Sequence, residues 1–201
     1  MISAILLAAG ESRRMGSTNK LALDIDGVPM VRRAAETLLA ASLAELVVVL
    51  GHEAERIGSL LTGLPLRTVV NEAYPAGRMS SVHRGLETID AACDGILIAL
   101  ADQPLLEPDD IARLLGAFRA AGQGAILLPS YRGRRGNPVL LDAAHREPIL
   151  AMGPAAGGAR AYIDAHPERV HHCEMDNGHV VTDLDTPEDY AALTGGGVAS
   201  A

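Results

Sequence analysis

The sequence predicts a single α/β domain in which helices cover both faces of a mainly parallel β-sheet. Short apolar runs alternate with amphipathic stretches along most of the chain, a pattern typical of repeated strand–helix–strand units. Hydrophobic residues make up 48% of the sequence but aromatic residues only 2%, so Ala, Val, Leu and Ile must fill the core. A length of 201 residues is enough for one such domain with a substantial core.

The strands are predicted from runs that are short, rich in Val, Ile or Leu, and bounded by Gly, Asp, Asn or Pro. In chain order these runs are 3–8, 45–50, 66–70, 95–99 and 125–129, with less regular candidates at 138–141 and 170–174. Since ligands of such sheets bind at the carboxyl ends of the strands, we expect the functional residues directly after these runs.

The helices are predicted between the strands, from apolar residues at helical spacing. They cover 31–41, 53–62, 80–91 and 109–121, and a further helix is expected at 156–165. Thr186 and Pro187 predict the cap and first turn of a terminal helix. The domain is expected to extend over 1–194, with 195–201 as a flexible tail of small residues.

Charge and cysteine content exclude several classes of partner. Lys and Arg total 17 against 25 Asp and Glu, a net charge of -8, which argues against binding to nucleic acid. The apolar start at 1–8 is too short for a signal sequence or a membrane span. Cys93 and Cys173 form no disulfide framework, so a reduced, cytoplasmic protein is expected, with no membrane partner.

The loop after the first strand carries the residues expected at a phosphate chain. Small residues at 8–10 allow a close approach of the backbone, and consecutive N–H groups can line phosphate oxygens. Arg14 and Lys20 add positive charge for a triphosphate. Neither the dinucleotide pattern GxGxxG nor the P-loop pattern GxxxxGK[ST] is present at this loop.

Two further segments follow later strands. In 71–82, Gly77 is expected at a turn, and Ser80 or Ser81 is expected to cap the next helix, whose N–H groups would face a bound nucleotide. Asp102 comes shortly after the strand at 95–99 and before Gln103-Pro104, where a carboxylate is well placed to bind Mg²⁺.

These motifs together resemble those of the MobA-like NTP transferases. The first loop is similar to the family's signature loop, with the string Leu7-Ala8-Ala9-Gly10-x-Ser12-x-Arg14-Met15-Gly16 followed by Lys20. The later segments are similar to its Gly-x-x-Ser-Ser, Ala-Asp-Gln-Pro and Asp-x-Asp-Thr-Pro-Glu-Asp motifs at 77–81, 101–104 and 183–189. The likeness is closest to the MocA-type molybdenum cofactor cytidylyltransferases. It implies a Rossmann-like three-layer α/β/α sandwich of the nucleotide-diphospho-sugar transferase type, with a mixed sheet.

The resemblance implies a role for individual residues. Leu7, Ala8, Ala9, Gly10, Gly77 and Ser81 would contact the nucleotide, Arg14 and Lys20 the triphosphate, and Asp102 and Asp185 the Mg²⁺ ion. Lys20, Arg14 and Asp102 would be the catalytic residues. Two departures are visible, because Lys20 follows Gly16 by four residues where three are common, and Asn137 stands where MocA-type proteins usually have histidine.

The function implied is transfer of CMP from CTP to molybdopterin, with release of pyrophosphate and later delivery of the cofactor to a molybdenum hydroxylase. The Ala8-Ala9-Gly10 string resembles the cytidylyl branch, whereas guanylyltransferases tend to carry a second glycine at the position of Ala9. The segments with Arg135 and Arg160 resemble parts that face the acceptor, although surface salt bridges explain these arginines equally well.

Three alternatives stay open. The same enzyme class could use GTP, or a sugar or alditol phosphate as the acceptor. A non-catalytic carrier of the molybdenum cofactor would bind the pterin without turnover, but it would not need Lys20, Asp102 and Asp185. A Rossmann-type oxidoreductase fits the fold class but lacks the glycine pattern.

Overall fold

A sheet of eight strands forms the centre of the molecule in the structure, a computed structural model that describes residues 1–16, 18–90 and 92–195. The ten strands, of which β2 and β3 form a separate hairpin, are β1 (Ile2–Ala8), β2 (Asp24–Ile25), β3 (Val28–Pro29), β4 (Glu45–Leu50), β5 (Arg67–Val70), β6 (Gly95–Leu100), β7 (Ile126–Tyr131), β8 (Arg134–Arg135), β9 (Val139–Asp142) and β10 (Val170–Glu174). The α-helices are α1 (Met30–Leu39), α2 (Ala54–Ser59), α3 (Arg78–Thr88), α4 (Pro108–Ala121), α5 (Arg146–Met152), α6 (Gly158–Ala165) and α7 (Pro187–Thr194).

The sheet is mixed but mainly parallel, as the sequence predicts. Its order is β10-β7-β9-β6-β1-β4-β5, with β8 paired to β7. Strand β9 runs antiparallel to β6 and β7, whereas β1 pairs in parallel with both β4 and β6. The carboxyl ends of β1, β4 and β6 therefore lie side by side at one edge of the sheet.

Helices cover both faces of the sheet, which confirms the three-layer architecture. Every residue of β1 is buried, and alternate side chains point to opposite faces. Ala4 and Leu6 pack in a core with α1, α2 and α4, while Ile5 and Leu7 pack in a second core with α3, α5 and α6. No helix in the described ranges combines the length and the apolar character that crossing a membrane requires.

The predicted starts of two helices are confirmed by their caps. Glu107 caps α4 and forms a capping box with Asp110, and Pro108 occupies the first turn. The Thr186 hydroxyl accepts a hydrogen bond from the backbone N–H of Asp189 at the start of α7.

Several predicted boundaries were wrong. Helix α2 covers 54–59 rather than 53–62, because Gly58 and Gly63 lower the helix propensity of this segment. Helix α6 begins at Gly158, after a short 3₁₀ turn, and α5 and the hairpin β2–β3 were not predicted. Helix α3 ends at Thr88, with Ile89 in extended conformation, rather than at 91. Ala91 itself and the tail at 196–201 lie outside the described residues.

Close packing of α3 against β1 gives a test of the fold. A Cβ atom at Gly85 would lie 2.5 Å from Ile5 Cγ2, so Gly85→Ala should overpack this interface and lower the free energy of unfolding by about 1–3 kcal/mol. The matched control is Gly116→Ala in α4, where a Cβ would meet nothing within 4 Å. The control should be neutral or up to about 1 kcal/mol more stable in denaturant unfolding. Equal stability of the two variants would contradict the close approach of α3 to β1.

Candidate functional site

A cleft of about 430 Å³ opens at the carboxyl ends of β1 and β6, beside the start of α3. The structure brings nine of the ten predicted site residues to this cleft: Leu7, Ala9, Gly10, Arg14, Lys20, Gly77, Ser81, Asp102 and Asp185. Ala8 does not line it, because it is the last residue of β1 and its side chain points into the core, where it is 1% exposed. The structure thus turns the Ala8 side chain away from the cleft, and a contact of this residue with the nucleotide stays a prediction.

The loop after β1 folds back on itself and returns Lys20 to the cleft. The Ser12 hydroxyl accepts a hydrogen bond of 3.1 Å from the Lys20 backbone N–H, and the Asn19 side chain accepts one from the backbone of Leu21. Behind the loop, a Cβ atom at Gly51 would lie only 2.7 Å from the Ala9 Cβ. Glycine at position 51 thus lets the loop lie directly against the end of β4.

Lys20 joins two aspartates that lie 83 positions apart in the sequence. Its Nζ atom is 2.6 Å from Asp102 Oδ2 and 2.7 Å from Asp185 Oδ1, and the residue is only 8% exposed. Arg14 donates to the other oxygen of Asp185 at 2.7 Å. The structure thus places these four residues next to one another, as the sequence predicts.

The two aspartates of the last loop, the segment 175–186 between β10 and α7, have opposite pKa shifts. At Asp185, partial burial opposes ionisation, but the hydrogen bond and charge of Lys20 and the charge of Arg14 outweigh it and lower the pKa. At Asp183, desolvation and the negative charge of Asp102 raise the pKa, although a hydrogen bond from Gln103 partly opposes the shift.

Gln103 holds the last loop beside the end of β6, a role that the sequence did not reveal. Its amide nitrogen donates to the Val180 carbonyl and to Asp183 Oδ1, both at 2.9 Å, and the residue is 1% exposed. The Leu184 N–H donates to the Asp102 carbonyl at 2.8 Å. These bonds fix the distance between the two carboxylates around Lys20. The sequence signal for Gln103 was its place in the Ala-Asp-Gln-Pro motif, directly after Asp102.

The donor set fits a magnesium ion that also binds phosphate. Asp102 Oδ1 is buried and has no hydrogen-bond partner among the described residues, so it is available to a cation. The part of the chain that the structure describes holds no group of three or more His, Cys, Asp or Glu side chains that could bind a metal. One or two carboxylates with water and substrate phosphates are the usual ligands of Mg²⁺, so Asp102 and Asp185 fit this ion better than a metal enclosed by protein ligands.

The predicted serine cap of α3 was wrong. The helix begins at Arg78, and Gly77, with a φ of +107°, is its N-cap residue. Ser80 lies inside the first turn, and its hydroxyl bonds to the Gly77 carbonyl at 2.8 Å, as helical serines often do. Ser81 accepts a hydrogen bond of 2.9 Å from Asn71 and uses its hydroxyl hydrogen in no bond within the described residues.

A second cavity of about 260 Å³ adjoins the cleft on the side of α6. The three residues predicted on the acceptor side, Arg135, Asn137 and Arg160, all line it. Both arginines also approach Asp164, at 3.2 Å and 3.9 Å, so the salt-bridge interpretation of these residues holds as well.

The fold and the cleft define an α/β protein with cations and paired carboxylates at the strand ends, where proteins of this class bind their ligands. The chain belongs to the MobA-like NTP transferase domain family, whose profile matches residues 4–170. This confirms the family that the motifs predict. The finer assignment to its MocA-type branch stays a prediction.

Two relatives match nearly the whole chain and carry different names. A protein from Paenarthrobacter nicotinovorans named nicotine blue oxidoreductase is 33% identical over an alignment of 200 residues that covers 96% of this chain and 96% of that protein. A molybdenum cofactor guanylyltransferase from Cereibacter sphaeroides is 32% identical over 188 residues, covering 93% of this chain and 92% of that protein.

Solved structures share the fold. A nucleotidyl transferase from Methanothermobacter thermautotroptrophicus superposes with a TM-score of 0.83 and 24% identity, over 97% of this chain and 96% of that one. Rv0371C of Mycobacterium tuberculosis H37Rv, in complex with manganese, has a TM-score of 0.76 and 22% identity, over 96% of this chain and 98% of that one. Both confirm the predicted fold class.

The opposite pKa shifts of Asp183 and Asp185 predict opposite effects of the same substitution on stability. The raised pKa of Asp183 means that its ionised form is disfavoured in the folded state, so Asp183→Asn should be more stable than the wild type at pH 7. The lowered pKa of Asp185 means that its ionised form is favoured, so Asp185→Asn should be less stable at pH 7.

Both differences should diminish as the pH falls. The gain from Asp183→Asn disappears below the pKa of an unfolded aspartate, about 3.9. The loss from Asp185→Asn disappears as the pH falls through the lowered pKa of the folded protein, where the wild-type carboxylate also becomes neutral. Urea unfolding of the three proteins between pH 7 and pH 3 measures this. The same sign for both variants at pH 7 would contradict the arrangement of charges around Lys20.

Proposed function

We propose that the chain is a Mg²⁺-dependent nucleotidyltransferase that moves CMP from CTP to the phosphate of molybdopterin and releases pyrophosphate. The observation that carries the proposal is the position of Lys20, held between Asp102 and Asp185 inside a cleft at the strand ends. A molybdenum hydroxylase would then receive the finished cofactor. The relative named molybdenum cofactor guanylyltransferase supports the acceptor, and the manganese complex of a structure with this fold supports the metal.

The cleft offers complementary groups to each part of an NTP. Arg14 and Lys20 supply positive charge for the triphosphate, and the loop at Ala9 and Gly10 supplies a backbone surface for close approach. The free hydroxyl hydrogen of Ser81 can be donated to the ribose or the base. When the Lys20 ammonium binds phosphate oxygens, it must give up part of its bonding to the two aspartates. Its charge thus balances the aspartates before the nucleotide binds and the triphosphate afterwards.

The reaction itself requires little from a general base. A phosphate monoester has a second pKa of about 6, so its oxygen is already ionised near neutral pH. This oxygen attacks the α-phosphorus of the NTP, a new P–O bond forms, and the bond to the β-phosphate oxygen breaks as pyrophosphate leaves with the electron pair. A magnesium ion on Asp102 and Asp185 would supply neutralisation of phosphate charge. Lys20 and Arg14 add positive charge around the departing pyrophosphate, and the walls of the cleft align the two phosphates.

We assign the acceptor to the second cavity and propose CTP as the nucleotide. Arg135, Asn137 and Arg160 line that cavity, and the arginines can bind an anionic acceptor. The alanine at position 9 favours the cytidylyl branch by resemblance, while the relatives named guanylyltransferases favour GTP. A direct comparison of the nucleotides is therefore part of the test.

The test measures pyrophosphate release with Mg²⁺ and molybdopterin, each NTP in turn, for the wild type and for Asp102→Asn. The variant keeps the shape of the side chain but removes its charge, so release should fall at least about 100-fold. Asp94→Asn is the matched control, because Asp94 directly precedes β6 and thus lies at the opposite end of the same strand. This control should keep wild-type activity.

The possible results separate the proposals. Release with CTP alone supports the full proposal, and release with GTP alone keeps the reaction but changes the nucleotide. Release with a sugar or alditol phosphate, but not with molybdopterin, replaces the acceptor. Tight pterin binding without release from any NTP would sink the enzyme proposal in favour of a carrier.

A second candidate function, an oxidoreductase, is favoured by one observation. The relative named nicotine blue oxidoreductase is 33% identical to this chain over 96% of both proteins. The cations of the cleft could equally bind the pyrophosphate of a dinucleotide. Binding of NADH and NADPH, measured by calorimetry in the absence of any NTP, distinguishes the two. Tight NADPH binding together with no pyrophosphate release would favour the oxidoreductase.

A further inference from the structure

The cleft and the second cavity meet at three residues. Leu7, Leu100 and Arg78 line both of them, and no other described residue does. Leu7 and Leu100 are direct neighbours in the pairing of β1 with β6, so together they form an apolar floor. Arg78 is therefore the charged side chain that faces both cavities.

Arg78 differs from the other arginines around these cavities in forming no salt bridge among the described residues, although its charge acts on Asp183 from a longer distance. Arg13 pairs with Glu11 at 2.7 Å and Arg14 with Asp185 at 2.7 Å. Arg135 and Arg160 both approach Asp164. The exposed guanidinium of Arg78 thus keeps its five N–H donors available for an anion.

The position of Arg78 in α3 brings no evident gain in stability. It is the first residue of the helix, and a positive charge near a helix N-terminus is unfavourable because it opposes the helix dipole. The first turn of the helix is nevertheless well anchored, since Asn71 donates to both Ser80 and Ser81 at 2.9 Å. The chain therefore holds a cation firmly at a place where the helix itself disfavours one.

We propose that Arg78 binds the phosphate groups between which the new bond forms, with the α-phosphate of the NTP on one side and the acceptor phosphate on the other. This inference rests on the proposed function, because a nucleotide in the cleft and an acceptor in the second cavity must meet at their shared boundary. Arg14 and Lys20 are both bonded to Asp185, away from the shared boundary, and would bind the phosphates that leave. The guanidinium of Arg78 offers a planar set of donors for oxygens of two neighbouring phosphates.

The experiment compares Arg78→Gln with Arg84→Gln, a control on the same helix whose arginine is exposed and, among the described residues, pairs with Glu87. Isothermal titration calorimetry measures the binding of CMP and GMP, which carry the α-phosphate alone. Pyrophosphate release with molybdopterin gives kcat separately. Arg78→Gln should weaken the binding of whichever monophosphate the wild type binds by about tenfold, the loss expected for one charged hydrogen bond. It should lower kcat by about 100-fold or more.

The stability of the variant identifies a purely structural effect. Removing a cation from the start of α3 should leave Tm unchanged or raise it, so loss of activity with a lowered Tm would count against a direct role. If the wild type binds a monophosphate and Arg78→Gln binds it with the same affinity, the inference is overturned and the proposed function stays intact. A wild type that binds neither monophosphate and releases no pyrophosphate would overturn both. Equal losses of binding and kcat in Arg84→Gln would show that removal of any positive charge from α3 has this effect, and would also overturn the inference.

Discussion

A nearly buried lysine ammonium between two carboxylates is the interaction on which the candidate site depends. Burying one charge is costly unless opposite charges and hydrogen bonds accompany it. Lys20 meets this condition with contacts of 2.6 Å and 2.7 Å to Asp102 and Asp185. Removing either carboxylate would leave the lysine undercompensated, so the geometry of the loop after β1 and that of the last loop are tied to each other.

The parallel sheet makes this interaction possible. Asp102 follows β6, whose neighbour β1 leads into the loop with Lys20, so both side chains reach the same edge of the sheet. Asp185 comes from a segment that belongs to no strand. Its position depends on the bonds from Gln103 and on that between Leu184 and the Asp102 carbonyl. The sheet therefore positions two of the three charged groups directly, and a small hydrogen-bond network positions the third.

The sequence predicted the sheet and most of the cleft because both depend on local patterns. Apolar runs identify buried strands, and ligands of parallel sheets collect at the strand ends, so Lys20 and Asp102 could be placed from their positions after β1 and β6. The predicted start of α3 was wrong because a serine inside the first turn of a helix and a serine at its N-cap give the same sequence signal. Gln103 and Arg78 could not be recognised, since their importance comes from contacts and cavities formed by distant segments. The exclusion of Ala8 from the cleft depends on the direction of one side chain at the end of a strand.

The network around Val180 has a consequence for how the two cavities are held together. The Val180 carbonyl accepts hydrogen bonds from both the Gln103 side chain and the Asn137 backbone, each at 2.9 Å. A single peptide group thus connects the segment that carries Asp185 with the segment that lines the second cavity. The backbone at Asn137 and the support of Asp185 therefore depend on the same carbonyl group. The last loop lies beyond the family profile at 4–170, yet it contacts the segments that line both cavities.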